Sequence, residues 1–190
     1  MILLLDLDGV LADFDRGFAL RWQAHTGHRP LRSEQRRHFH IADDYDPQLR
    51  ECIEALIASP GFYRQLPLMA GAAEAVSELR QQGLELRVVS TASALPHINE
   101  DKRAWVSLHL GPDMAERCIL SEDKTLITAD VLIDDKPRIT GQHCPRWQHI
   151  LYDQAYNRHI AGRRIDWSAA GRLRLQHYLQ CLSDGQASPP

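Results

Sequence analysis

Two aspartates spaced i, i+2, Asp6 and Asp8, stand directly behind the apolar run Met1 to Leu5 and are followed by Gly9. A short, continuous apolar run bounded by a turn signal suits a strand buried on both faces, as in a parallel sheet. Both carboxylates then sit at the carboxyl end of that strand, where open α/β sheets bind ligands. Gly9 lets the chain turn sharply and approach a ligand closely. Two carboxylates so close together repel unless something positive compensates them. A hard divalent cation with oxygen ligands does this, and Mg²⁺ commonly arrives with a substrate phosphate. Asp-x-Asp-Gly alone also describes an exposed acidic turn, so the rest of the chain has to decide.

The rest supplies complementary groups. Thr91 follows Val88-Val89, Asp134-Asp135 follows Val131-Leu132-Ile133, and Lys102 is expected in the first turn of the helix after Thr91. A cation there opposes the helix macrodipole, and a locally unfavourable placement marks a functional position; alone, it would read as a solvated lysine. Together the groups suit phosphoryl transfer. One carboxylate attacks phosphorus and forms an aspartyl phosphate. A metal, a lysine and a hydroxyl stabilise the charge on the transferring group. A second carboxylate protonates the leaving oxygen and later activates water.

The elements that must position these groups follow from periodicity. Phe14, Phe18 and Trp22 line one face of a helix ending near Gly27. A polar, mixed stretch runs from Pro30 to Asp46, then a helix from about Pro47 to Ala58 with Leu49, Cys52, Ile53, Leu56 and Ile57 on one side, stopped by Pro60-Gly61. Residues 14–67 therefore read as a helical insertion, and 1–13 with 68–190 as the catalytic core. From Gly71 the pattern is repetitive α/β: a helix over Ala72 to Gln82, a strand at Leu86 to Ser90, and a helix capped by Asn99 running to about Leu110 with Trp105, Val106 and Leu108 available for packing. Short strands follow at Cys118 to Leu120, Val131 to Ile133 and His149 to Tyr152. A last helix covers Gly171 to Leu182, and Gln186 to Pro190 is expected to fray. Strands alternating with helices imply a parallel sheet with helices on both faces.

The 190 residues fit one domain with a small insertion, and a net charge of −3 lacks the basic excess of a nucleic-acid polymer binder. Cys52, Cys118, Cys144 and Cys181 are widely spaced, which suggests neither zinc nor a disulfide framework and fits a reduced, cytoplasmic protein. The apolar start lacks a basic leader, and no run has the length of a membrane span. The ten histidines are scattered, Arg163-Arg164 reads as a solvated turn, and Asp43, Asp44 and Asp46 as a polar loop.

The series Asp6-Leu7-Asp8-Gly9-Val10, Val89-Ser90-Thr91, Lys102 and Leu132-Ile133-Asp134-Asp135 resembles the haloacid-dehalogenase-like phosphohydrolases. More narrowly, Asp6 to Phe14, Arg36-Arg37-His38-Phe39, Lys102 to Val106 and Asp123-Lys124-Thr125 resemble the 5′(3′)-deoxyribonucleotidases. The resemblance implies a Rossmann-like α/β fold in strand order 5-4-1-2-3 with a small helical cap after the first strand. It implies Asp6 as nucleophile and Asp8 as general acid/base. Mg²⁺ would be held by Asp6, the Asp8 carbonyl and Asp134, with Asp135 in support. Thr91 and Lys102 would hold the phosphate, Lys102 also neutralising Asp6, and Phe14, Phe39, His40 and Ile41 would surround the base. His40 stands where mammalian members carry tryptophan, and Glu122 where they carry arginine, a contact that Lys124 could supply instead. The expected substrate is a small nucleotide, with a homodimer left open. The alternatives are a superfamily member acting on a sugar phosphate or other small phosphomonoester, and a non-catalytic nucleotide-binding protein.

Overall fold

Leu3, Leu4 and Leu5 are wholly buried, and they alternate between two apolar clusters. Leu3 and Leu5 pack with Val88, Val131 and Ile133, whereas Leu4 packs with Val89, Leu132 and Trp147. That alternation places β1 (Ile2–Asp6) at the centre of a sheet covered on both faces. The computed structural model describes residues 1–184, so the expected fraying of Gln186 to Pro190 lies outside the described residues.

After β1 come α1 (Phe14–Thr26), α2 (Arg50–Ile57) and α3 (Ala72–Gln81), then β2 (Glu85–Ser90), α4 (Pro96–Leu110), α5 (Pro112–Glu116) and β3 (Ile119–Leu120). The chain continues through β4 (Val131–Asp134), β5 (Gln148–Tyr152), β6 (Arg164–Ile165) and α6 (Ala169–Ser183). The strands pair in parallel in the order β3-β2-β1-β4-β5-β6. This is the expected order read from the other edge, with one strand added. Arg164, expected in a solvated turn, belongs to that added strand: it pairs with Leu151 and its guanidinium is tied to Asp153 and the Asn157 carbonyl. A two-residue strand has too little periodicity to be seen in sequence.

Between β1 and α3 the chain makes a helical detour whose ends meet. Asp13 N–H donates to the Pro67 carbonyl and Met69 N–H to the Leu11 carbonyl, both at 2.8 Å, around a bridge between Ala12 and Leu68. The detour has no separate core. Ile41, Ile53 and Phe62 share one apolar cluster with Leu3, Val88 and Trp105. Phe18 and Trp22 stack at 5.7 Å and are buried, as the four-residue spacing suggests, and Gly27 closes α1 at φ 72°. The second helix opens with a 3₁₀ turn at Pro47–Leu49, capped by Asp46.

The helix that carries Lys102 starts earlier than expected. Pro96 takes its first position, a favoured place for a residue with no N–H to satisfy. Asn99 lies inside the helix instead, its side chain bonding both the N–H and carbonyl of Ser93. Lys102 is therefore in the second turn, and the macrodipole argument does not apply to it. Leu108 faces solvent, at 74% exposure, while Trp105 and Val106 are buried. Among the described residues no helix is long and apolar enough to cross a membrane, and all four cysteines are free.

Trp105 joins α4 to the detour: its indole N–H donates to the Leu66 carbonyl at 2.7 Å in a fully buried setting. Trp105→Phe keeps much of the packing but strands that carbonyl, so it should lower the unfolding free energy by about 1–3 kcal/mol. A denaturant titration checks this, and an unchanged midpoint would mean the bond contributes nothing net.

Candidate active site

The register brings the acidic residues together. Leu5 pairs with Ile133, so Asp6 and Asp134 come next on adjacent strands, and Asp135 follows at the sheet's carboxyl edge. All three are buried, and one carboxylate oxygen from each lies within 4.8 Å of the others. Lys124 Nζ sits between two of them, 2.5 Å from Asp6 Oδ1 and 2.5 Å from Asp134 Oδ2. Asp134 Oδ1 also accepts from the Lys136 N–H at 2.8 Å.

Were all three ionised, the one ammonium would leave two negative charges uncompensated. Burial raises the Asp6 pKa to about 7: Lys124 pulls it down, but desolvation and the neighbouring Asp134 and Asp8 charges outweigh that pull. Asp135 is pushed well above its ordinary value, first by burial, then by Asp6 and Asp134. Lys124 rises because the attraction of Asp6 and Asp134 exceeds the burial penalty. An all-oxygen donor set with two excess negative charges fits a hard divalent cation.

Asp8 is engaged differently. Its Oδ2 lies 2.9 Å from Lys102 Nζ and accepts from Ser90 Oγ at 3.0 Å, while its Oδ1 is buried with no hydrogen-bond partner among the described residues. Lys102 also donates to Ser90 Oγ and to the Thr91 carbonyl, each at 2.9 Å, and lies 4.8 Å from the centroid of the Tyr63 ring. One sequence expectation changes here, and one hydroxyl is added. The lysine that neutralises Asp6 is Lys124, whereas Lys102 pairs with Asp8. The hydroxyl in the network belongs to Ser90, which is buried, while Thr91 is exposed and contributes its carbonyl. The one polar residue ending the buried run Val88-Val89-Ser90 was the available signal for it.

A cleft of about 450 Å³ joins this edge to the helical detour, a size suited to a small ligand. Asp8, Thr91, Lys102 and Asp135 line it together with Phe14, Phe39, His40 and Ile41. Arg36 braces the aromatic side. It is buried, paired with Asp15 at 2.5 Å and Asp44 at 3.4 Å, and it donates to the carbonyls of His38 and Phe39 at 2.7 Å each. Asp44 also takes the Arg37 N–H and His38 Nδ1, and Asp43 pairs with Arg50, so this acidic run is structural pairing within a loop. Glu122 is exposed two residues before the buried Lys124.

A parallel sheet in this order, with an acidic cluster at the carboxyl end of its central strands, is the arrangement that the resemblance to haloacid-dehalogenase-like hydrolases implies. The fold is shared by a HAD family hydrolase from Deinococcus radiodurans, solved with bound phosphate and sodium, which superposes with a TM-score of 0.52 over 100% of this chain and 98% of its own at 16% identity. Residues 1–177 match the family described as 5′ nucleotidase, deoxy (pyrimidine), cytosolic type C protein. The human cytosolic 5′(3′)-deoxyribonucleotidase is 38% identical over 180 residues, 87% of this chain and 88% of its own. A Bordetella pertussis protein assigned to the same activity is 46% identical over 170 residues, 88% and 91% of the two chains. The chain belongs to this 5′-nucleotidase family, a group of phosphoric monoester hydrolases.

The excess negative charge predicts a pH signature. Because the folded pKa of Asp6 is raised, the folded state holds more protons than the unfolded one between about pH 4 and about pH 7, and the group's penalty grows across that window as pH rises. In chelator, Asp6→Asn should therefore melt higher than wild type, by more at pH 8 than at pH 5. Saturating Mg²⁺ should shrink or reverse the gain. A lower melting temperature for the variant at pH 8 in chelator would show that the trio is not under electrostatic strain.

Proposed function

We propose that this protein is an Mg²⁺-dependent phosphomonoesterase that dephosphorylates (deoxy)nucleoside monophosphates through a phosphorylated Asp6. The observation that carries the reading is one cleft with a carboxylate-and-lysine end and an aromatic end. Family membership supports a nucleotide as the substrate.

Asp6, the Asp8 carbonyl and Asp134 would hold the cation, with Asp135 in support. Bound there, it would supply the charge that lets Asp6 stay ionised and accept a phosphate beside it. The Asp6 carboxylate attacks phosphorus, the ester P–O bond breaks, and the departing oxygen takes a proton from Asp8. Asp8, now a base, removes a proton from water, which attacks the phosphorus, releases inorganic phosphate and restores Asp6. Lys102 and Ser90 hold Asp8 in place for both proton transfers, and Lys102 with Thr91 binds the phosphate oxygens. Lys124 offsets part of the charge around Asp6.

The segment 14–67 acts as a cap over the base. Phe39 meets His40 edge-on at 5.1 Å, and Phe14 meets Phe62 at 5.6 Å, so the rings on this side are held by neighbours. An aromatic wall of this kind stacks on a base for about 1–3 kcal/mol per ring. Phe39→Ala should raise KM for a nucleoside monophosphate by about tenfold while a small aryl phosphate is hydrolysed almost as before. Equal losses on both substrates would mean Phe39 only supports the cap, and no change on nucleotides would favour a sugar phosphate. Phosphate release should stop in EDTA and return with Mg²⁺ but poorly with Ca²⁺, whose larger and looser shell misplaces the phosphate. Full activity in excess chelator would overturn the metal assignment.

A further inference from the structure

The loop after β5 makes contacts with the acidic centre that none of these chemical steps uses. The Tyr156 hydroxyl donates to Asp135 Oδ2, and both residues are buried, at 4% and 3% exposure. Asn157, wholly buried, donates from its side-chain amide to the Asp135 carbonyl at 2.7 Å and to the Tyr152 carbonyl at 2.8 Å. The Gly9 main chain also comes close to that same carboxylate oxygen. A Cβ on Gly9 would lie 2.2 Å from Asp135 Oδ2 and 3.3 Å from the Tyr156 hydroxyl. One oxygen of the carboxylate is thus bonded by a phenol and crowded by Gly9, with the main chain of the residue fixed by an asparagine.

The ring of Tyr156 has a second set of neighbours. The Arg36 guanidinium lies 4.4 Å from its centroid, and Phe39 meets it edge-on at 5.9 Å and 77°. One side chain therefore touches a carboxylate of the acidic centre with its hydroxyl and the aromatic wall of the cleft with its ring.

We infer that Tyr156 is a positioning residue with two separable tasks: its hydroxyl orients Asp135 for the divalent cation, and its ring holds Phe39 against the base. The inference rests on the reading of this centre as a cation-dependent phosphatase site. Physically, a carboxylate near a cation but free to rotate pays orientational entropy on binding, and a donor that fixes it beforehand removes that cost. Asp135 stands beside the proposed ligands, and outer hydrogen-bonding groups of metal sites are worth about 10–100-fold in metal affinity or activity when removed.

The test separates the two tasks by what each substitution removes. Tyr156→Phe deletes only the hydroxyl. Calorimetric titration with Mg²⁺ alone should show about tenfold weaker binding, with KM for a nucleoside monophosphate at saturating Mg²⁺ changed less than twofold. Tyr156→Leu deletes the ring too, and should raise that KM while hydrolysis of a small aryl phosphate at saturating Mg²⁺ keeps its KM. In an Asp135→Asn background the Tyr156→Phe change should add less than twofold to the Mg²⁺ dissociation constant, because the tyrosine acts through that carboxylate. Melting curves in chelator establish that each variant is folded.

An Mg²⁺ affinity in Tyr156→Phe within twofold of wild type overturns the inference, as does an undiminished tenfold effect without the Asp135 carboxylate. If wild type itself takes up no Mg²⁺ and releases no phosphate, the functional reading fails first. If wild type does both and Tyr156→Phe matches it, only the role of Tyr156 falls.

Discussion

The constraint on which the structure depends is the burial of three carboxylates around a single ammonium. Asp6, Asp134 and Asp135 are each no more than 6% exposed, and Lys124, their shared countercharge, is also buried. Such a group is unfavourable unless paired and hydrogen-bonded, because desolvation of an ion costs several kcal/mol even after relaxation. The strained pKa of Asp6 expresses that cost. Strands packed on both faces by Leu3, Leu4, Leu5, Val131, Leu132 and Ile133 supply the apolar burial that offsets it. On the proposed reading, a hard cation held by these carboxylates would offset that cost.

The two lysines divide the work by strand end. Lys124, from the β3 to β4 connection, serves Asp6 and Asp134, while Lys102, from α4, serves Asp8 and Ser90. This keeps the two carboxylates of the Asp6-Leu7-Asp8 turn in different surroundings although they are two residues apart. Different surroundings are what a nucleophile and an acid/base pair require. On the other side of the cleft, Arg36 ties Asp15 of α1, Asp44 and the carbonyls of residues 38 and 39 into one buried unit. Ile41 and Ala42, next to this wall, belong to the same apolar cluster as the strands.

Local pattern made the sheet and the acidic strand ends readable. Buried parallel strands are continuous apolar runs, and an aspartate ending such a run is conspicuous, as at Asp6 and Asp134. What pattern could not supply was partnership across the chain. Lys124 meets Asp6 across 118 residues, and Ser90 meets Asp8 across 82, so neither pairing leaves a local trace. The start of α4 was missed because Asn99 looks like a cap, while the true start depends on Pro96. Arg36 lies in a polar, mixed stretch whose pattern does not announce burial, and it is buried because Asp15, Asp44 and two carbonyls converge on it. Tyr156 carries no signal at all in a loop of mixed composition.

The central claim is that Asp6 carries the phosphoryl group during turnover, and mass spectrometry of the enzyme quenched in acid while hydrolysing a nucleoside monophosphate tests it directly. The account predicts a fraction of the chain heavier by one phosphoryl group, mapped to the peptide containing Asp6, sensitive to hydroxylamine and absent from Asp6→Asn. Turnover with no covalent phosphate at any quench time, or the added mass on a peptide other than that of Asp6, would contradict it.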